Sequence, residues 1–448
     1  MTCKNLKQIA LFTIVFVLLF NSSKAQYLWN NDSAFKAGAA NSGRLWGYVF
    51  GDFYYKGHSD SLNRGGNNQY TGIPQGRNAF QFRRLYLGYD YNITKTFAAE
   101  ILLAAEDNFP AFNPPSSGAA SGDQTLNNKE TFFIKYADIK WKNIWKGTDL
   151  VVGMQPTPAF PFITERIWAY RSIERTIADI RRTPSYDLGL GLRGFFDPAT
   201  KNFGYNLLVA NGTSAKPAGN SYKWFYGDVF AYFMQKKLVI DFYADYQRLN
   251  WQPGWHHDRQ MIKGYIAYST PSTEPAYPAL TIGVEGFINN LKGDTKATLI
   301  GGASADTIAT KANGIAMYIH GDIVKNKLRF FARVDLYNPN KNVDNSKYSA
   351  YAGVSSPSGY MSPGYKLTYN PSTGAPTAAA STGDPTSKET FITAGLDFTP
   401  VKGVHFMPNI WYNHYKSQLT NPPGVPAGTS DANYDLVYRL TFYFVFGK

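Results

Sequence analysis

The sequence predicts an all-β fold: a transmembrane antiparallel β-barrel of about sixteen strands, with an inward-folded third extracellular loop that contains a short helix. Three observations predict it. Apolar and polar residues alternate with period two in segment after segment, long connections alternate with short ones, and no run of about 18 apolar residues follows Phe20. Aromatic residues make up 16% of the chain while mean hydropathy is only −0.32, so the apolar residues are interleaved with polar ones. Without apolar helices, a chain crosses lipid only as a closed barrel, because every backbone amide must find a partner.

The first element is an expected signal peptide, residues 1–25. Lys4 and Lys7 form a basic start, Ile9 to Phe20 is an apolar run too short to span a bilayer, and Ser23-Lys24-Ala25 supplies small residues for a cut before Gln26. Residues 26–448 then form one barrel domain. The single cysteine, Cys3, falls in the removed segment, which excludes disulfides, thiolate metal sites and a cysteine nucleophile. Loss of Lys4, Lys7 and Lys24 takes the formal charge from +13 to +10.

Strands are expected near 44–55, 77–92, 96–105, 130–142, 148–155, 186–196, 203–211, 224–234, 236–248, 258–270, 276–290, 313–322, 327–337, 389–399, 402–415 and 432–446. In 327–337, Leu328, Phe330, Ala332, Val334 and Leu336 oppose Arg329, Phe331, Arg333, Asp335 and Tyr337. In 236–248, Leu238, Ile240 and Phe242 oppose Val239, Asp241 and Tyr243. A sandwich would alternate equally well, so the connections decide. Those after odd strands are long (Lys56–Gly76, Glu106–Lys129, Pro156–Ser185, Leu291–Ala312, Asn338–Glu389), and those after even strands are tight. The long ones, such as Pro371 to Pro385, read as mobile exterior loops. The last strand closes with Tyr438, Leu440, Phe442, Phe444 and Phe446 on one face, like the assembly signal of outer-membrane barrels.

One connection differs. Between Pro156 and Pro184, Ile167, Tyr170, Ile173, Ile177 and Ile180 recur at helical spacing beside Glu165, Arg166, Arg171, Glu174, Arg175, Asp179, Arg181 and Arg182. An apolar stripe with a charged face suits a loop folded into a water-filled lumen, where arginines would favour anions. The alternative is a helix across the exterior mouth. Gly189 and Gly191 on the following strand would admit close backbone approach. Strand parity adds lumen-facing candidates Arg84, Arg193, Arg329, Arg333 and Asp335, together with Asp90, Asp241, Asp245, His320, His405 and Asn413. A salt-bridge role within the wall fits the last three charges of that first group equally well.

These residues bring a family into view. Phe82-Arg-Arg-Leu-Tyr-Leu-Gly-Tyr89 resembles the double-arginine strand of the phosphate-selective porin O and P family. Val152-Gly-Met-Gln-Pro-Thr-Pro158 looks like the strand end entering that family's inward loop. Glu165, Arg171 and Glu174-Arg175 resemble the loop's continuation. Asp187-Leu-Gly-Leu-Gly-Leu-Arg-Gly194 resembles the next strand and Val209-Ala-Asn-Gly212 a later strand end. Pro408-Asn-Ile-Trp-Tyr412 looks like the Bacteroidetes branch. The resemblance implies a sixteen-stranded barrel, a homotrimer and an inward third loop. The expected function is a porin for passive diffusion of small polar solutes, with anions such as phosphate among the candidates, through a charged constriction. Outer-membrane lipids, lipopolysaccharide and the outer-membrane assembly machinery are the other expected partners. Phosphate selectivity is not carried over, since Glu165, Glu174 and Asp179 offset the loop arginines.

Gly189-Leu-Gly-Leu-Arg-Gly194 matches a dinucleotide fingerprint but lies in a strand with no helix after it. His256-His257 lacks a spaced carboxylate for a metal site. No serine sits in a nucleophile setting, and basic residues are too scattered for nucleic acid. No enzyme activity, cofactor or metal is therefore expected. The competing reading is a barrel that anchors a surface binding or adhesion protein through its long loops.

Overall fold

The computed structural model describes residues 40–447, apart from 61, 63, 65–68, 72, 107–124, 127, 128, 131, 182, 183, 216, 219, 220, 253, 254, 271–278, 303, 354–364, 370–375, 381–385 and 422–432. The expected signal peptide and Arg182 lie outside the described residues. Sixteen strands form the wall. They are β1 Ser42–His58, β2 Asn78–Asn92, β3 Phe97–Glu106, β4 Phe133–Trp145, β5 Thr148–Pro156, β6 Tyr186–Phe195, β7 Phe203–Ala210 and β8 Trp224–Phe233. β9 Leu238–Gln252, β10 Trp255–Thr270, β11 Leu280–Leu299, β12 Ala305–Val324, β13 Leu328–Asn338, β14 Lys388–Val401, β15 Val404–Lys416 and β16 Asn433–Phe446 complete it.

Each strand pairs antiparallel with its neighbour in the chain, and β1 closes on β16 from Gly47 opposite Phe446 to His58 opposite Leu436. All sixteen expected strands are present. Their two faces differ as alternation requires. On β9, Ile240 and Phe242 are 43% and 50% exposed, while Val239, Asp241 and Tyr243 are buried. Leu190, Ile262, Ile288, Leu336, Leu440 and Phe444 continue the exposed apolar face around the wall. Left in water, each such side chain would cost about 1.5–3 kcal/mol against burial, so this belt is a lipid-facing surface. Asp52, Lys56, Lys263, Arg333 and Arg439 point inward and are shielded from it.

Tight turns gather at one rim. Lys402 and Gly403 alone join β14 to β15, with Gly403 at φ +82°, where a side chain would be strained. At the other rim three expectations need correction. β11 and β12 reach well past their expected ends, so the loop foreseen at Leu291–Ala312 is reduced to 300–304. The extended part of β11 also pairs with a short strand, Tyr348–Gly353, from the 339–387 connection. Pro376–Ala380, expected within a mobile loop, pairs with Tyr365–Tyr369.

Candidate functional site

The third long connection turns inward at once. Backbone N of Thr157 donates to Ser185 O at 3.1 Å and its hydroxyl to Pro184 O at 2.6 Å, pinching the base of the loop shut. The expected single helix is two short ones, α1 Thr164–Trp168 and α2 Ile177–Ile180. Ala169, at φ +61°, ends α1, and Thr176 caps α2 by accepting from Asp179 N. The apolar stripe nevertheless holds: Ile167, Tyr170, Ile173, Ile177 and Ile180 are all buried.

That stripe lies on the far wall rather than on β6. Ala159, Phe160, Ile177 and Ala178 pack with residues of β7 to β13, including Tyr226, Met261, Phe287 and Tyr337. Ile163, Ile167, Trp168, Tyr170 and Ile173 pack with Tyr265, Tyr318, Phe331 and Met407. Close approach occurs at Gly314 of β12, where a Cβ would lie 2.8 Å from Ile177 Cδ1. Gly189 and Gly191 instead face backbone of β7 and the Gln155 amide, which corrects their expected role.

Polar groups fix the segment from many strands. Lys263 Nζ donates to Thr164 Oγ1 at 2.9 Å, Arg333 to Arg175 O at 2.6 Å and Arg439 to Ile173 O at 3.0 Å. His320 bonds Ile167 O at 2.9 Å. Buried Glu174 accepts from Trp411 Nε1 at 2.8 Å and Gln69 Nε2 at 3.0 Å. Unpaired backbone carbonyls in a dry site would cost about 1–3 kcal/mol each, and these donors remove that penalty.

The foreseen charges mostly sit in ion pairs. Arg171 donates to Glu165 and, at 2.9 Å, to Asp179. Arg175 lies 3.8 Å from Asp179 and 3.9 Å from Glu174. Arg181 grips Glu389 at 3.0 and 2.8 Å and lies over the Tyr337 ring. Arg166 stays partly exposed. On the wall, Arg84 meets Glu106 at 2.9 Å, Arg329 meets Asp322, and Arg333 chelates Asp335. Arg193 donates to Gln155 at 2.9 Å and covers the Phe162 ring. Asp90 pairs with Arg44, Asp241 with Lys263, His405 with Asp397, and Asn413 donates to Glu389. Asp245 accepts from Tyr243 at 2.7 Å. Burial alone would raise the Asp179 carboxyl, but Arg171 and Arg175 beside it hold it below the ordinary value.

Three features escaped sequence reasoning. β2 carries a bulge at Arg83, since Phe50 pairs with Arg84 and Gly51 with Phe82. Arg83 and Arg84 therefore both turn inward, and Arg83 reaches Asp52 at 3.6 Å and Ser172 O at 3.3 Å. β4 repeats the device at Lys135, between the Leu102–Tyr136 and Leu103–Ile134 pairs; Lys135 bonds Glu106. The two adjacent arginines in a strand were the available signal for the first. The connection after β1 also enters the lumen: Tyr70 and Ile73 are buried against Trp411, and Tyr70 donates to Asp52 at 2.8 Å.

No protein-family model matches the chain, and no curated protein does. Among solved structures, the chain is similar to the outer membrane channel DcaP of Acinetobacter baumannii. Identity is 10% and the TM-score 0.55, over 91% of this chain and 98% of that one. This chain has the fold of an outer-membrane channel. OmpT of Vibrio cholerae (9% identity, TM-score 0.47, 91% and 99% covered) and Salmonella typhi OmpF (9%, 0.46, 91% and 98%) are more distant in shape. The closed wall and its apolar belt place the chain in a bacterial outer membrane.

Proposed function

We propose that the chain is an outer-membrane porin that lets small polar solutes diffuse through a constriction formed by 157–185. The observation that carries this reading is the inserted segment itself, held inside the lumen by donors from β10, β12, β13, β15 and β16. A segment fixed in this way narrows a pore permanently instead of capping it.

Charge preference follows from the pairing. Glu165, Glu174 and Asp179 pair at short range with Arg171 and Arg175, and half-exposed Arg166 brings the count of carboxylates and arginines level, so weak selectivity between small anions and cations is expected, with no strong phosphate preference. Kinship with the phosphate-selective porin O and P family, cleavage after residue 25, assembly as a homotrimer, and dealings with lipopolysaccharide and the assembly machinery belong to the same proposal. Planar bilayers holding the purified protein should show unitary steps in potassium chloride and a small reversal potential in a salt gradient. Silent bilayers would count against the channel, and a large anion-directed potential against its charge balance. The adhesion reading draws on the 339–387 connection, whose Tyr348–Gly353 strand is built into the rim. Deleting 354–385 should abolish surface binding, if that is the function, and leave conductance intact.

A further inference from the structure

At the rim of long connections, the lipid-facing side of the β11–β12 hairpin changes character in a set order. On β11 the outward positions run through Ile282 and Ile288 to Asn290 and Lys292, while Asn289 and Leu291 between them are buried. On β12, followed in the same direction, they run through Met317 and Ile315 to Asn313 and Lys311. The register aligns these steps. Ile288 stands opposite Ile262 and Asn313, and Asn290 stands opposite Gln260 and Lys311. Exposed isoleucines thus give way to a row of amides and then to ammonium groups. From Ile288 to Lys292 the change takes about 14 Å, at 3.4 Å per residue.

Two further lysines join the patch. The β11–β12 ladder shifts after Leu291 and resumes at Thr295, which returns Lys296 to the exposed face opposite Thr307. Backbone N of Lys341 donates to Lys311 O at 2.7 Å, so a fourth exposed lysine lies alongside. The ammonium groups of Lys292, Lys296, Lys311 and Lys341 make no ion pair or hydrogen bond among the described residues. Asp258, the carboxylate of this face, stands opposite both Arg248 and Lys292 and accepts from the Tyr246 hydroxyl at 3.3 Å. Asp306 on the other face of the hairpin holds Lys347 at 2.8 Å. Exposed lysines at the rim of short turns, such as Lys146, Lys201, Lys325 and Lys402, are spread around the barrel, whereas these four gather on neighbouring strands.

We propose that this patch binds the phosphate-bearing headgroup of an outer-leaflet glycolipid. The proposal deepens the lipopolysaccharide partnership stated above and rests on that outer-membrane reading. Ammonium groups crowded into one area repel one another, and a phosphate among them relieves the repulsion; lysine serves such anions as a point charge. Position decides the source of the phosphate. The patch faces away from the lumen and continues a face that meets acyl chains, so its anion is one anchored in the bilayer. Gln260, Asn290 and Asn313, between isoleucines and lysines, offer amide donors and acceptors to sugar hydroxyls at the level where a glycan headgroup begins. A plain anionic phospholipid would engage the lysines alone.

The test uses the full-length protein in detergent, titrated with bisphosphorylated lipid A and read by native mass spectrometry. Lipid A should bind saturably and more tightly than phosphatidylglycerol or dephosphorylated lipid A. Lys292→Gln combined with Lys311→Gln should weaken it roughly tenfold or more, since each lysine near an anionic surface contributes about fivefold. Arginine at both positions should restore it. Lys325→Gln with Lys327→Gln, which removes equal charge at the opposite rim, should leave it unchanged. Equal affinity in parent and Lys292/Lys311 variant overturns the inference, as does an equal loss in the opposite-rim control. Phosphatidylglycerol or dephosphorylated lipid A binding as tightly as lipid A overturns it too, and so does displacement by millimolar inorganic phosphate, the mark of a free-anion site. Conductance without lipid A binding sinks this inference and leaves the porin reading standing; binding with silent bilayers does the reverse.

Discussion

Arg171 is central to the charge balance of the inserted segment, because it bridges Glu165 and Asp179. Replacing it with glutamine leaves those two carboxylates beside the passage without their shared cation. Arg171→Gln should therefore turn the channel cation-preferring, a several-fold change in permeability ratio read as the reversal potential in a salt gradient; an unmoved potential would contradict this. Titration follows the same pair. The Asp179 carboxyl lies below its ordinary 3.8 in the folded protein, drawn down by Arg171 and Arg175 against the push of burial. A depressed folded pKa contributes stability that is complete above 3.8 and fades as pH falls through the lower folded value. The parent should hence resist protease cleavage between 164 and 181 better than Asp179→Asn from neutrality down to about pH 4 and lose that advantage only below it; an advantage already gone near pH 6 would contradict this.

At the scale of elements, α2 depends on one missing side chain. A Cβ at Gly314 would fall 2.6 Å from Phe287 Cε1 and 2.8 Å from Ile177 Cδ1. Gly314→Leu should push α2 off β12 and expose the loop to protease between 164 and 181, with the barrel still folded by its heat-modifiable mobility. Protection equal to the parent would show that the stripe does not depend on this contact. Much of this architecture was legible in the sequence. The sixteen strands declared themselves because each has one face in lipid and one in a polar interior, and the isoleucine spacing of 167–180 marked the segment that must bury a stripe. Other parts were not legible for physical reasons. Counting by twos assumes an unbroken ladder, so the bulges at Arg83 and Lys135 hid an inward cation each. No periodicity marks the connection after β1, whose Tyr70 and Ile73 are held by long-range partners on β1, β14, β15 and β16. The wall that received the stripe was also beyond reach, because it is set by which side of the lumen offers matching apolar shape.

For the whole molecule, the deciding balance is between the lipid belt and the polar interior. Leu190, 51% exposed at the middle of β6, meets acyl chains, while Asp187 and Arg193 of the same strand face inward. Leu190→Arg should cost about 2–4 kcal/mol near the bilayer midplane. Urea unfolding in lipid vesicles reads this directly, and a loss under about 0.5 kcal/mol would mean that the face does not touch hydrocarbon.

The seam between β1 and β16 has a consequence for genetic design. Since the first and last strands are already hydrogen-bonded neighbours, from Gly47 opposite Phe446 onward, the wall has no natural starting point. A circular permutant, with residues 40 and 447 tethered by a few glycines and new termini opened at Lys402, would keep every ladder except one two-residue turn. It would nonetheless present β14 instead of β16 as the final strand to the assembly machinery proposed above as a partner. Refolding in detergent and insertion in living cells should then part company, the first preserved and the second impaired, which separates what the finished cylinder needs from what its delivery needs.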